Sequence, residues 1–302
     1  MEARRGWRPG GPDDGGGCGY GAAVTATGDE AARDLRLPDA RAGRRSPWLA
    51  ALAGAAVGLL GGLVGLGGAE FRLPLLLGVF ALAALPGVIV NKAASIMTVV
   101  AAIPSRLAAV PLDQLSAHWF VVVSLLAGSL PGAWVGAAWA TRMRAATLHR
   151  VLGGLLLGIA AVFAVYHLGW LPQPDLPTAA QAAAGVIAGF GIGVVAALMG
   201  VAGGELLVPI ITVLFAVDVK LAGSLSLLVS LPTMLVGFAR YSRSQAFSVL
   251  RDNGGFVVAL AVGSVGGAVA GGLLLGVVPT AVLVPAVVLL LVVSAVKVWR
   301  HA

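Results

Sequence analysis

Gly65-Leu66-Gly67-Gly68-Ala69-Glu70-Phe71-Arg72-Leu73-Pro74 is answered further along by Gly200-Val201-Ala202-Gly203-Gly204-Glu205-Leu206-Leu207-Val208-Pro209, an offset of 135 residues (200 − 65). The same offset relates Phe80 to Phe215, and Gly128-Ser129, Gly132 and Gly136 to Gly263-Ser264, Gly267 and Gly271. Both copies sit inside apolar runs and both carry a carboxylate. Glycine, an ionisable residue and a proline inside two matched hydrophobic segments form the sequence pattern of paired broken helices, one way of building a transporter site.

Composition places these segments in a membrane. Mean hydropathy is +0.96, with 59% hydrophobic and only 11% charged residues, whereas about a quarter of a soluble domain is charged. The apolar runs are long and continuous, which indicates helices, not the short alternating segments of a barrel. Cys18 is the only cysteine, so there is no disulfide framework. His118, His149, His167 and His301 lie near segment ends without metal-ligand spacing, and no metal or cofactor is expected. The net charge of +7 is no nucleic-acid footprint. Up to Ser46, eight arginines nearly cancel seven acids, and most of the other charges fall between hydrophobic segments.

Residues 1–46 are rich in Gly, Arg, Asp and Pro and read as a disordered cytoplasmic tail. The Arg44-Arg45 pair reads as a positive-inside anchor for the first helix, not as an export signal. A first repeat over 47–171 holds the segments Pro47–Gly68, Pro74–Leu85, Asn91–Val110, His118–Ala140 and His149–Trp170. An external linker at 172–178 leads to a second repeat over 179–302, with Ala179–Gly203, Pro209–Val217, Val219–Ala239, Gly254–Val278 and Thr280–Trp299. Segments of about 20 residues span a bilayer, and the short second member of each set does not span it as one straight helix. If that member is the returning arm of a hairpin, Lys92, Arg142, Arg144, Arg150, Arg240, Arg243, Arg251, Lys297 and Arg300 all fall inside. Only Arg106 and Lys220 then fall outside. Each repeat would cross an odd number of times. The expected fold is therefore an all-α polytopic membrane protein of two inverted repeats, each a broken helix or hairpin followed by three transmembrane helices, with both termini cytoplasmic. Trp48, Trp119, Trp139, Trp170 and Trp299 mark segment ends, and the Gly ladders, including Gly185, Gly189 and Gly193, read as close helix contacts.

Proline disfavours helix in the residue before it, so new helices are expected at Pro74 and Pro209, with Gly65–Leu73 and Gly200–Val208 unwound. Each short helix would present its positive end to a cavity, and two such ends make a site for an anion. Gly65, Pro74, Gly200 and Pro209 are the helix-break residues. Gly67, Gly68, Gly203 and Gly204 would offer backbone to the ligand. Glu70 and Glu205 are either proton carriers or caps of their own loops. Glu205 is the better carrier, because Arg72 has no counterpart beside it: Leu207 stands there. Arg72 either attracts the anion or pairs with Glu70. On the following helices, Asn91, Ser95, Thr98 and Ser105 share a face, matched by Gly223, Ser226, Ser230 and Thr233. These faces either line a path or bond helix to helix.

The duplicated G-x-G-G-x-E/G-G-E stretch, with Pro four residues after the Glu and a polar helix beyond, resembles the TauE/SafE family, also called the 4-toluene sulfonate uptake permease family. The resemblance runs from Pro47 to about Trp299, with Ala69 and Ala202 where glycines would complete the two motifs. It implies a bacterial inner-membrane carrier of sulfur-containing or organic anions such as sulfite and sulfonates. The alternatives are an anion channel, a non-transport scaffold and an intramembrane enzyme. No P-loop, His-Glu-x-x-His or Gly-x-Ser-x-Gly motif lies at membrane depth, so no enzyme is expected. The expected partners are a small anion and the bilayer, without nucleic acid; a homodimer is left open.

Overall fold

The computed structural model describes residues 46–64, 68–109, 112–167, 176–273 and 292. Within them the chain is helical and contains no strand. The helices are α1 (Pro47–Val64), α2 (Ala69–Gly78), α3 (Ala84–Ala109), α4 (Leu112–Ala117), α5 (Trp119–Ala140) and α6 (Ala145–His167). They continue as α7 (Thr178–Met199), α8 (Gly204–Phe215), α9 (Val219–Tyr241), a 3-10 turn at Gln245–Ser248, α10 (Val249–Asp252) and α11 (Gly254–Leu273). Six of them (α3, α5, α6, α7, α9 and α11) are long and apolar enough to cross a bilayer. The chain is a multi-pass membrane protein. Trp48, Trp119 and Trp139 are exposed on its outer surface, while Trp170 and Trp299 lie outside the described residues, as do residues 1–45 and the segment Thr280–Trp299.

The duplication extends to the backbone. Gly68 (φ 72) and Gly203 (φ 81) both adopt the left-handed conformation, immediately before α2 and α8. Ala81 (φ 49) and Ala216 (φ 53), the only non-glycine residues with positive φ among those described, are again 135 positions apart. Packing is reciprocal as well. The first helix of each half lies along a helix of the other, α1 on α11 and α7 on α5, and likewise α3 meets α11 while α9 meets α5.

Small residues set these contacts. A Cβ added to Gly128 would stand 1.9 Å from the Val186 carbonyl oxygen, and one on Gly132 would stand 2.2 Å from that of Phe190. On the matching seam, Gly263 and Gly267 place a Cβ 2.1 Å from the Ala51 and Ala55 oxygens. Backbones this close gain dispersion contacts that lipid tails would not supply.

Two expectations change. Pro74 and Pro209 do not start helices: each is the sixth residue of its helix, which begins at Ala69 or Gly204. Glu70 and Glu205 therefore occupy first turns, not unwound backbone. The prolines are tolerated because the turns around them are packed, with Leu73 and Leu76 in α2 and Leu207 and Ile211 in α8 all buried. Each proline still lacks the N–H that would reach the carbonyl four residues back, which belongs to Glu70 or Glu205. Lys92 is the second correction. The helix carrying it begins at Ala84, so Lys92 lies two turns inside and is fully buried, not a charge at the membrane surface.

Candidate functional site

The break between α7 and α8 is built from the carbonyls that a helix end leaves without partners. Gly200 (φ 70) closes α7, with its N–H on the Ala197 carbonyl at 3.1 Å and the Val201 N–H on that of Ala196 at 3.1 Å. This double closure is a Schellman turn. Glycine is required twice over, since a Cβ on Gly200 would stand 2.3 Å from the Val88 oxygen.

Side chains of α3 and α9 reach the same helix end. Lys92 Nζ donates to the carbonyls of Ala196 (2.7 Å) and Val201 (3.2 Å). Tyr241 Oη donates to that of Ala197 at 2.9 Å. Asn91 Nδ2 donates to Met199 at 3.1 Å and also to Ala69 at 3.0 Å, tying the end of α7 to the start of α2. A buried ammonium on the negative end of a helix compensates both charges. Asn91-Lys92-x-x-Ser95, three polar residues within about one turn of an apolar helix, is a sequence signal that could have marked this cap.

Arg72 is buried against neutral partners. Its Nε donates to Asn91 Oδ1 (2.9 Å), Nη1 to Ser264 Oγ (2.8 Å) and Nη2 to Ser95 Oγ (2.9 Å). Ser95 Oγ in turn donates a hydrogen bond to the Asn91 carbonyl at 2.7 Å. A guanidinium has five N–H groups, so two are left without a partner among the described residues. Ser264, from the Gly263-Ser264 pair of α11, was read only as part of a packing ladder.

Glu70 and Glu205 are 1% and 4% exposed, and no oxygen of either carboxylate has a hydrogen-bond donor among the described residues. Arg72 is near Glu70 but does not bond to it. The two carboxyl groups face each other closely enough to hydrogen-bond when one holds a proton. Each also leans toward its own backbone N–H, short of a well-formed bond. Neither Gly68 nor Gly203 supplies a side-chain cap, so the positive ends of α2 and α8 meet their own glutamates.

The hydroxyl faces divide. Thr98 bonds the Ala94 carbonyl (2.9 Å) and Ser226 that of Gly223 (2.8 Å), both within their own helices. Thr233 bonds Ser129 of α5 at 2.7 Å, a helix-to-helix link. Ser230 is 1% exposed and its Oγ has no partner among the described residues. Space around Gly204 is open: an added Cβ would meet nothing within 4 Å. Gly65, Gly67 and the side chain of Ser105 lie outside the described residues.

The chain belongs to the sulfite exporter TauE/SafE family, whose family model matches residues 49–298 of its 302. Members of that family are membrane transporters. No curated protein and no solved structure matches the chain.

Proposed function

We propose that this chain is a secondary carrier of a small sulfur-containing anion, sulfite or an organosulfonate, coupled to protons and working in a bacterial inner membrane. The observation that carries this reading is Arg72: a buried guanidinium held by three neutral side chains, with two N–H groups that have no partner among the described residues and would serve a ligand. A guanidinium matches the paired oxygens of a sulfite or sulfonate group in the same way that it matches a carboxylate. The anion would also meet the first turns of α2 and α8, where Gly68, Gly203 and Gly204 offer backbone, and the Ser230 hydroxyl. Sulfite export is what the family description names. The test is anion flux into proteoliposomes containing the purified chain.

The two halves are proposed to insert in opposite orientations, with the N- and C-termini cytoplasmic. Burial of Lys92 removes one charge from that argument. Arg142, Arg144 and Arg150 between α5 and α6, and Arg240, Arg243 and Arg251 around the end of α9, still support it. Reporter fusions placed in residues 142–150 should be active only as cytoplasmic reporters. Periplasmic activity there would contradict the inversion.

A further inference from the structure

We propose that Glu70 and Glu205 act as one proton-binding unit, a carboxyl–carboxylate hydrogen bond that ties the first turn of α2 to the first turn of α8. Four buried carboxylate oxygens without donors are an unsatisfied arrangement when both groups are ionised. One proton resolves it. Transferred onto either carboxylate, it makes an O–H that donates to the other, leaving the pair with one negative charge instead of two. Like charges this close do not both persist away from water, which is why paired carboxylates share a proton.

Among the described residues the surroundings leave the pair no other partner. α1, α5, α7 and α11 contain no ionisable residue. α2 supplies only Arg72 besides Glu70, and Arg72 is turned to Asn91, Ser95 and Ser264. From α3, Lys92 is held on the carbonyls of Ala196 and Val201. The other ionisable residues of α3, α6 and α9 (Arg106, His149, Arg150, Tyr166, His167, Lys220, Arg240 and Tyr241) all lie within two turns of a helix end. Pro74 and Pro209 add to the local excess of acceptors by leaving each glutamate's own carbonyl without a helical donor.

The two acids come from equivalent positions in the two repeats, so the bond joins one half of the molecule to the other. Loss of the proton leaves two facing charges that repel, which favours separation of α2 from α8. This consequence rests on the carrier reading: a proton on the pair removes a negative charge beside Arg72, so proton and anion favour each other's binding.

Infrared difference spectra of the purified full chain across a pH step test the unit without any transport. The parent should show the band of one protonated carboxyl shielded from water, distinct from those of the solvated acids. Glu70→Gln and Glu205→Gln should each remove it, because the glutamine amide donates permanently to the remaining carboxylate. A shielded-carboxyl band that persists in either variant overturns the proposal, since the proton then belongs to a single glutamate. If a glutamine variant does not fold, Glu70→Asp tests the same contact. Shortening the side chain should shift the band, and an unshifted band also overturns the proposal. A parent chain that neither binds nor moves an anion would contradict the carrier reading, while the spectra would still decide the unit.

Discussion

Arg72→Ala is expected to weaken anion binding by thirtyfold or more, read as loss of the stabilisation that sulfite or a sulfonate gives the purified protein against heating. Removing one partner of a buried, hydrogen-bonded charge pair costs about 2–5 kcal/mol, and about 1.4 kcal/mol is a tenfold change in Kd. The same substitution strips Asn91, Ser95 and Ser264 of their common donor. Melting of the unliganded variant must therefore be compared with the parent. Arg72→Lys keeps the charge but loses the planar fork, and should fall between the two. Glu70→Gln is nearly isosteric and removes repulsion, so it should bind the anion better than Arg72→Ala does. Equal or greater loss in Glu70→Gln would make Arg72 a structural residue and place recognition elsewhere.

Gly132→Ala should lower the melting temperature sharply or prevent insertion of a folded protein, although it adds one methyl group. That methyl carbon would stand 2.2 Å from the Phe190 oxygen, 3.0 Å from its carbonyl carbon and 3.1 Å from its Cα. All three are backbone atoms that cannot rotate away, so α5 and α7 must separate along the seam. Overpacking a well-fitted contact costs about 1–3 kcal/mol or more. Gly267→Ala, on the equivalent seam of α1 and α11, should behave alike, with a Cβ 2.1 Å from the Ala55 oxygen. Gly191→Ala and Gly158→Ala meet nothing within 4 Å and should be tolerated. A Gly132→Ala protein as stable as Gly191→Ala would mean that this seam is looser than described.

The seams and breaks were legible because glycine, glutamate and proline recur at one offset, and few physical demands other than a repeated backbone conformation produce that pattern. Gly68 and Gly203 meet that demand directly, and Ala81 and Ala216 repeat it where the sequence carries no glycine to announce it. The helix starts were misread because the local preference before Pro74 and Pro209 is outweighed by burial of Leu73, Leu76, Leu207 and Ile211. Lys92 was misread for a different reason. A lysine in an apolar run looks the same in one dimension whether it faces water or caps a helix end, and the Ala196 and Val201 carbonyls it holds are more than a hundred residues away. Ser264 meets Arg72 across 192 residues, and no local pattern reports such a contact. Thr98 and Ser226 had the right periodicity to line a path, but hydroxyls bond the preceding turn of their own helix readily, and these two do.

On this reading the broken helices of the two halves build an anion site whose occupancy is linked to protons. Uptake of labelled sulfite or sulfonate into proteoliposomes, with and without an imposed proton gradient, tests it directly. The parent should concentrate the anion above its equilibrium level only when the gradient is present, and Glu205→Gln should abolish that accumulation. Flux that merely relaxes to equilibrium under the gradient would make the chain a channel instead of a carrier, and undiminished accumulation by Glu205→Gln would remove the carboxylates from coupling.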